Sequence, residues 1–225
     1  PEKGYATDFV SAIVAPHLEA IAESGVKLIS NAGGVNPEAC GCAIRQLIED
    51  AGLPLKVAVI TGDDLMPKLD EVLAAEPAEM FTGESAPPRD AIASANAYLG
   101  AFPVAEALNQ GADIVVTGRA TDAAVVAGPA AWHHQWKRDD WDQLAGAIVA
   151  GHVIECGAQA TGGNYSFFTE VEDLTYPGFP WAEIHEDGST VIGKHDETGG
   201  EVSVGTITSQ LLYEIQSERY LKPDL

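Results

Sequence analysis

Three short β-branched runs punctuate the chain, at residues 26–30, 55–60 and 113–117. Each gives way to a glycine-bearing polar stretch and then to apolar residues at helical spacing. Val10, Ile13, Val14, Leu18 and Ile21 predict a helix opened by Thr7-Asp8 and closed at Gly25, and His17, on or near that stripe, reads as a packed core histidine. Pro37 at a first helical position predicts a helix over 38–50, closed by Gly52. Further helices are predicted over 65–74, the second half of 98–110, 123–132, 141 to about 155, and 202–215. Residues 76–88, rich in Pro, Gly and Glu, read as a surface loop and candidate lid.

Repeated strand, glycine turn and helix units predict an α/β fold: a mostly parallel sheet with helices on both faces, in Rossmann-like layers. Beyond Thr169 the pattern changes. Residues 176–181 and 185–188 are turn-forming and 190–192 are strand-like, so the expected division is a core over 1–168 and a smaller α+β extension over 169–225.

The pattern is strongest at ADIVVTGRATD, residues 112–122, where a buried strand runs through Gly118 to a helix start. Ligands of open α/β sheets sit beyond the strand carboxyl ends, beside helix N-termini that attract anions. Arg119 is therefore the candidate anion holder, with Thr121 or Asp122 expected to cap the helix. At the earlier unit Asn31, Gly33, Gly34 and Asn36 occupy the equivalent edge, and the paired glycines suit either a tight turn or close approach of a ligand. Asp63 and Asp64 follow the second strand and are read chiefly as helix caps.

On the apolar helix over 141–155, His152, Glu155 and Cys156 are spaced i, i+3, i+4 and share a face, a plausible acid, base and thiol cluster. Ordinary interior packing is the competing account. Gly162, Gly163 and Asn164 follow in a polar glycine loop whose backbone N–H groups are candidates for an oxyanion cradle. Lys194 and Thr198, in a second such loop before the last helix, repeat the anion theme. His133 and His134 are adjacent, point to different sides of a helix, and so make no ready metal pair. No metal ligand set is assigned.

Thirty-four acidic residues against twelve basic give a formal charge of -22, which repels nucleic acid and anionic membranes. Against this field Arg119, Lys194 and Arg219 gain weight as anion contacts. No apolar run has the roughly 18 residues a membrane span needs. Cys40, Cys42 and Cys156 are an odd count without a CxxC pair, which suggests a reducing, cytoplasmic setting. The chain opens on Pro1 and not on Met, which points to a preceding segment outside this sequence. Neither GxGxxG nor GxxxxGK[ST] is present, which ranks nucleotide binding low.

NAGGVNP (31–37), VTGRATDAA (116–124), AGHVIECGAQATGGNY (150–165), PGFPWAEI (177–184) and KHDETGGEVSVGT…QLLYEIQ (194–216) together resemble the N-terminal domain of the acyclic terpene utilisation protein family. The likeness runs through nearly the whole chain in the same order. It implies a bacterial cytoplasmic protein of citronellol- or geraniol-type acid catabolism, with substrates carried as coenzyme A thioesters. It also implies a further strand and glycine turn before Pro1 and, in many members, a domain after Leu225.

Together these readings predict an enzyme acting on an acyl-CoA or carboxylate substrate by lyase- or hydratase-type acid–base chemistry. His152 and Glu155 would serve as acid and base, Cys156 and Asp122 would be further candidates in the reacting centre, and Arg119 and Lys194 would contact the anion. Asn31, Gly33, Gly34, Gly118, Thr121, Gly162, Gly163 and Asn164 would line the substrate. Convergence of His152, Glu155 and Arg119 in one pocket is the geometric expectation. No cofactor is called for beyond coenzyme A within the substrate, and a homo-oligomer is expected. A non-catalytic ligand-binding or assembly subunit is the alternative.

Overall fold

The structure, a computed structural model, describes residues 3–215, 217 and 220–224. It divides into two compact units, one of residues up to 99 with 110–120, the other of residues 100–109 with those from 121 onward.

In the first unit a π-helical stretch, Phe9–Val14, runs into α1 (Ala15–Ser24), which ends at Gly25 in the left-handed region at φ 68°. β1 (Leu28–Ser30), α2 (Pro37–Ala51), β2 (Val57–Ile60), α3 (Leu69–Ala74) and β3 (Ile114–Thr117) follow. The Asn36 side chain accepts the Ala39 N–H at 3.2 Å to open α2. The three strands form a parallel sheet in the order β1-β3-β2, with Ile114 aligned to Leu28 on one side and Val57 on the other. Every residue of β3 is buried, as its unbroken apolar run requires of a central strand. Val10, Val14, Leu18, Cys40, Ile44 and Ile48 close over Ile114 and Val116, each large side chain contributing roughly 1.5–3 kcal/mol by leaving water.

Asp113 clamps the strand starts. Its Oδ1 accepts Lys27 Nζ at 2.7 Å and its Oδ2 accepts the Lys56 N–H at 2.9 Å. His17 corrects the expectation of a core histidine: it is exposed, because the buried stripe of the helix is Val10, Val14, Leu18 and Ile21. The loop over 76–88 is a short hairpin bridged at Ala78 and Ser85, with Met80 and Phe81 exposed at its tip.

The second unit holds α4 (Phe102–Asn109), α5 (Ala124–His134), α6 (Trp141–Ile154), the antiparallel hairpin β4 (Pro180–Ile184) and β5 (Thr190–Lys194), and α7 (Val204–Glu214). Its core is built from small residues, Ala101, Ala123, Ala127, Ala131 and Ala147 among them, with Leu144, Ile148 and Trp136. A Cβ on Gly151 would stand 2.8 Å from the Ala123 Cα, so α6 approaches the chain before α5 more closely than any larger residue allows. α7 opens on a capping box, Ser203 and Thr206 each bonding the other's backbone N–H.

Two expectations are corrected here. Neither Thr121 nor Asp122 caps α5; the cap position is Ala123 with no side-chain bond, and Thr121 serves through its carbonyl, which accepts the Ala124 N–H at 2.9 Å. The stretch 176–181, read as turns, contributes Pro180 and Trp181 to β4. Pro is tolerated at a strand's first residue, and Trp181 lies across from Gly193, whose missing side chain makes room for the indole. The mixed α/β class and the parallel sheet agree with the sequence. Three strands make a smaller sheet than the predicted layering supposes, and the region after 169 is the hairpin and helix that α+β implied.

Candidate functional site

In the first unit the three parallel strands release their chains on one edge, and their glycine bends meet there. A side chain on Gly33 would collide with the Thr117 carbonyl, and one on Gly118 with the Asp63 carboxylate. Asp63, only 3% exposed, accepts the Arg119 N–H at 2.9 Å and Asn96 Nδ2 at 3.3 Å. It thus holds the β3 turn, a role beyond the capping expected of it. Asp64 is not a helix cap either: the cap positions are Leu65 for the 3-10 turn Met66–Lys68 and Lys68 for α3, and Asp64 precedes the first of them with its carboxylate accepting the Met66 N–H at 2.9 Å. The Arg119 guanidinium donates to Tyr98 Oη at 2.8 Å and lies 5.0 Å over that ring, exposed to solvent. Gly34, at φ 55°, donates to the Asn31 carbonyl at 3.2 Å and closes its turn.

In the second unit α6 and α7 bring a different set together. His152 is fully buried; its Nδ1 lies 2.8 Å from the Ile148 carbonyl and its Nε2 3.1 Å from Tyr220 Oη, and the two rings meet edge to face. Both ring nitrogens therefore have partners within the protein. Glu155 and Cys156 are half-buried beside Glu214, whose Oε1 accepts the Cys156 thiol at 3.4 Å. Gln210, fully buried one helical turn before Glu214, donates through Nε2 to the His152 carbonyl at 3.1 Å and to Glu214 Oε1 at 3.4 Å. Among the described residues, the side-chain oxygens of Glu155 (Oε1), Gln159 and Gln210 are buried with no hydrogen-bond donor. One atom each from Glu155, Cys156 and Glu214 lies within 4.8 Å of the others.

Burial, the charges of Asp122 and Glu214 and a hydrogen bond with Glu214 push the Glu155 carboxyl up to about 8, against the opposing charge of Lys222. Burial also raises the Cys156 thiol, aided by Glu214 and Glu155 and resisted by the Gln210 amide. The sequence shows half of this cluster. Gln210 and Glu214 lie at i, i+4 on the predicted last helix, a signal that was available, but nothing local shows that this face meets α6.

In the loop expected to form an oxyanion cradle, the Gly162, Gly163 and Asn164 N–H groups bond to the Gln159, Ala158 and Gln159 carbonyls. Lys194 is likewise engaged, its Nζ donating to the Thr198 carbonyl at 2.7 Å and the His195 carbonyl at 3.4 Å. Thr121 is buried and Asp122 exposed. Arg119 belongs to the first unit, His152 and Glu155 to the second. Arg219 lies outside the described residues. Of two open clefts of the second unit, one of about 460 Å³ along Phe102, Trp132 and Arg138 contains none of the expected site residues, and one of about 500 Å³ along Val171, Asp173 and Thr198 contains Thr198 alone of them.

Comparison with protein families matches the model described as "Acyclic terpene utilisation family protein AtuA" over residues 1–225. The chain belongs to the acyclic terpene utilisation family. No curated protein and no solved structure matches it. Among the described residues of this family member no helix is long and apolar enough to cross a membrane.

Proposed function

We propose that this acyclic terpene utilisation protein is an enzyme of acyclic terpene or branched-acid catabolism. It acts on a small carboxylate or acyl-CoA substrate by lyase- or hydratase-type acid–base chemistry at the Glu155–Cys156–Glu214 cluster. One observation carries the reading: two carboxyl groups and a thiol meet on α6 and α7, half-open to solvent, where apolar packing would hold the helices together equally well.

The chemistry follows from the groups. A carboxylate of the pair takes the proton from the carbon beside the substrate carbonyl, and a hydroxyl one carbon further leaves as water, with a proton returned to its oxygen; hydration is the reverse. His152, with both nitrogens engaged, is a positioning residue that anchors Tyr220 and, through its carbonyl, Gln210. Coenzyme A enters as part of the substrate, and no separate organic cofactor is needed. A reducing cytoplasmic setting and a homo-oligomer remain part of the proposal, supported by cysteine usage and by the small-residue helices.

The test is turnover of a panel of branched 3-hydroxyacyl-CoA and enoyl-CoA thioesters and the corresponding free acids. Glu155→Gln and Glu214→Gln are expected to lose at least about a hundredfold in kcat/KM while keeping their circular dichroism, and Glu197→Gln to match the parent. A parent protein without turnover on any member, or Gln variants as active as the parent, overturns the reading.

A further inference from the structure

We propose that the cleft between α4 and the end of α5 binds an apolar monocarboxylic acid as its free anion. The inference goes beyond the acid–base reading, since none of the Glu155–Cys156–Glu214 cluster lines this cleft.

The cleft measures about 460 Å³, within the roughly 300–1,000 Å³ of small-molecule sites. Phe102 and Trp132, both half-buried, give it apolar walls. Trp136 is buried and spends its indole N–H on the Glu186 carbonyl at 3.0 Å, so it offers ring surface alone.

A cation lies against that surface. The Arg138 guanidinium carbon stands 4.4 Å over the Phe102 ring, and among the described residues this stack is the side chain's one interaction, with no carboxylate paired to it. In a chain with thirty-four acidic and twelve basic residues, a mobile guanidinium has carboxylates in excess to choose from. The ring instead holds it by its face, which leaves the edge N–H groups for a planar acceptor with two oxygens. Two further donors line the cleft without a partner among the described residues, the Trp132 indole N–H and the Asn109 amide. Open donors beside apolar walls suit a ligand with an anionic head and an apolar body.

The surroundings limit the charge of that head. α4 and α5 end at the cleft, at Asn109 and the cap residue Gln135, and present the negative ends of their dipoles, while Glu106 adds a carboxylate. One guanidinium balances one negative charge there. A carboxylate meets that condition. The several phosphate charges of a coenzyme A thioester do not, so the cleft distinguishes a free acid from its thioester.

The experiment is calorimetric titration of the full chain with sodium octanoate, read alongside tryptophan fluorescence. One octanoate site is expected whose fluorescence change diminishes in Trp132→Phe and whose affinity falls roughly tenfold in Arg138→Gln. Arg138→Lys should lie between, because lysine keeps the charge and loses the fork. Octanol, which has the same chain without the charge, should bind roughly tenfold or more weakly, and octanoyl-CoA should not displace octanoate from this site. Arg138 is exposed, so its variants are expected to keep the circular dichroism of the parent; the octanol comparison gives an answer on the parent alone. The site should survive Glu214→Gln, so turnover can fail while the cleft binds, and binding can fail while turnover persists. No saturable octanoate binding, octanol bound as tightly as octanoate, displacement by octanoyl-CoA, or affinity unchanged in Arg138→Gln overturns the inference. Tighter binding of a glutamate-rich peptide, or a dimer that octanoate dissociates, assigns the cleft to a protein partner and overturns it too.

Discussion

Asp113 shows how much one side chain at a strand entrance can organise. Burial alone would raise its pKa, but the hydrogen bond and charge of Lys27 and the N–H and charge of Lys56 outweigh it and hold the carboxyl below its usual value. A carboxyl depressed in the folded state contributes stability above its unfolded pKa of about 3.9, and that contribution fades as pH falls through the lower folded value. Asp113→Asn is therefore expected to lower stability by about 1 kcal/mol at pH 7, since both partners remain a fifth to a quarter exposed and screened. Urea unfolding of parent and variant should converge as the pH drops below 4; a gap that stays constant to pH 2 would assign the loss to packing instead.

At the level of elements, the glycines on α6 set how close its neighbours come. Gly→Ala inside a helix ordinarily gains about 1 kcal/mol in propensity. At Gly151 the added methyl would meet the Ala123 backbone at 2.8 Å, which no rotamer change relieves, so overpacking of roughly 1–3 kcal/mol wins. Gly151→Ala should lower the melting temperature, and an unchanged or higher value would show that α6 can move aside.

The elements were also the most legible part of the chain. β3, α2 and α6 are readable because each carries a clear apolar run, to which α2 adds an Asn36-Pro37 start and a Gly52 end. The hairpin is only half legible, since proline and glycine at 177–180 signal turns and the Trp181–Gly193 pairing that rescues β4 is a partnership across strands. For the site, the spacing of His152, Glu155 and Cys156 was visible, but Glu214 and Gln210 required knowing which helix lies beside which. The loop at 162–164 is ambiguous for the opposite reason: a glycine-rich stretch looks the same whether its amides face a ligand or close their own turn, as these do.

Over the whole molecule, the formal charge of -22 works against compactness. Ion pairs such as Lys27–Asp113 and Arg89–Asp70 answer only a little of it, the second being largely exposed. Raising sodium chloride from about 20 mM to about 500 mM shortens the screening distance from roughly 20 Å to roughly 4 Å, so the melting temperature is expected to rise by several degrees. A fall would mean that local pairs outweigh the global repulsion.

The strand order carries a consequence for biosynthesis. β1 and β2 never touch each other; both await β3, which leaves the ribosome more than fifty residues after β2. Until residue 117 has been translated, two apolar ribbons emerge with no common partner, their unpaired edges open to misassociation. α2, which packs on β2 in the folded chain, is the element placed to shield that ribbon, and the hazard passes only when the middle ribbon slots between its flanks.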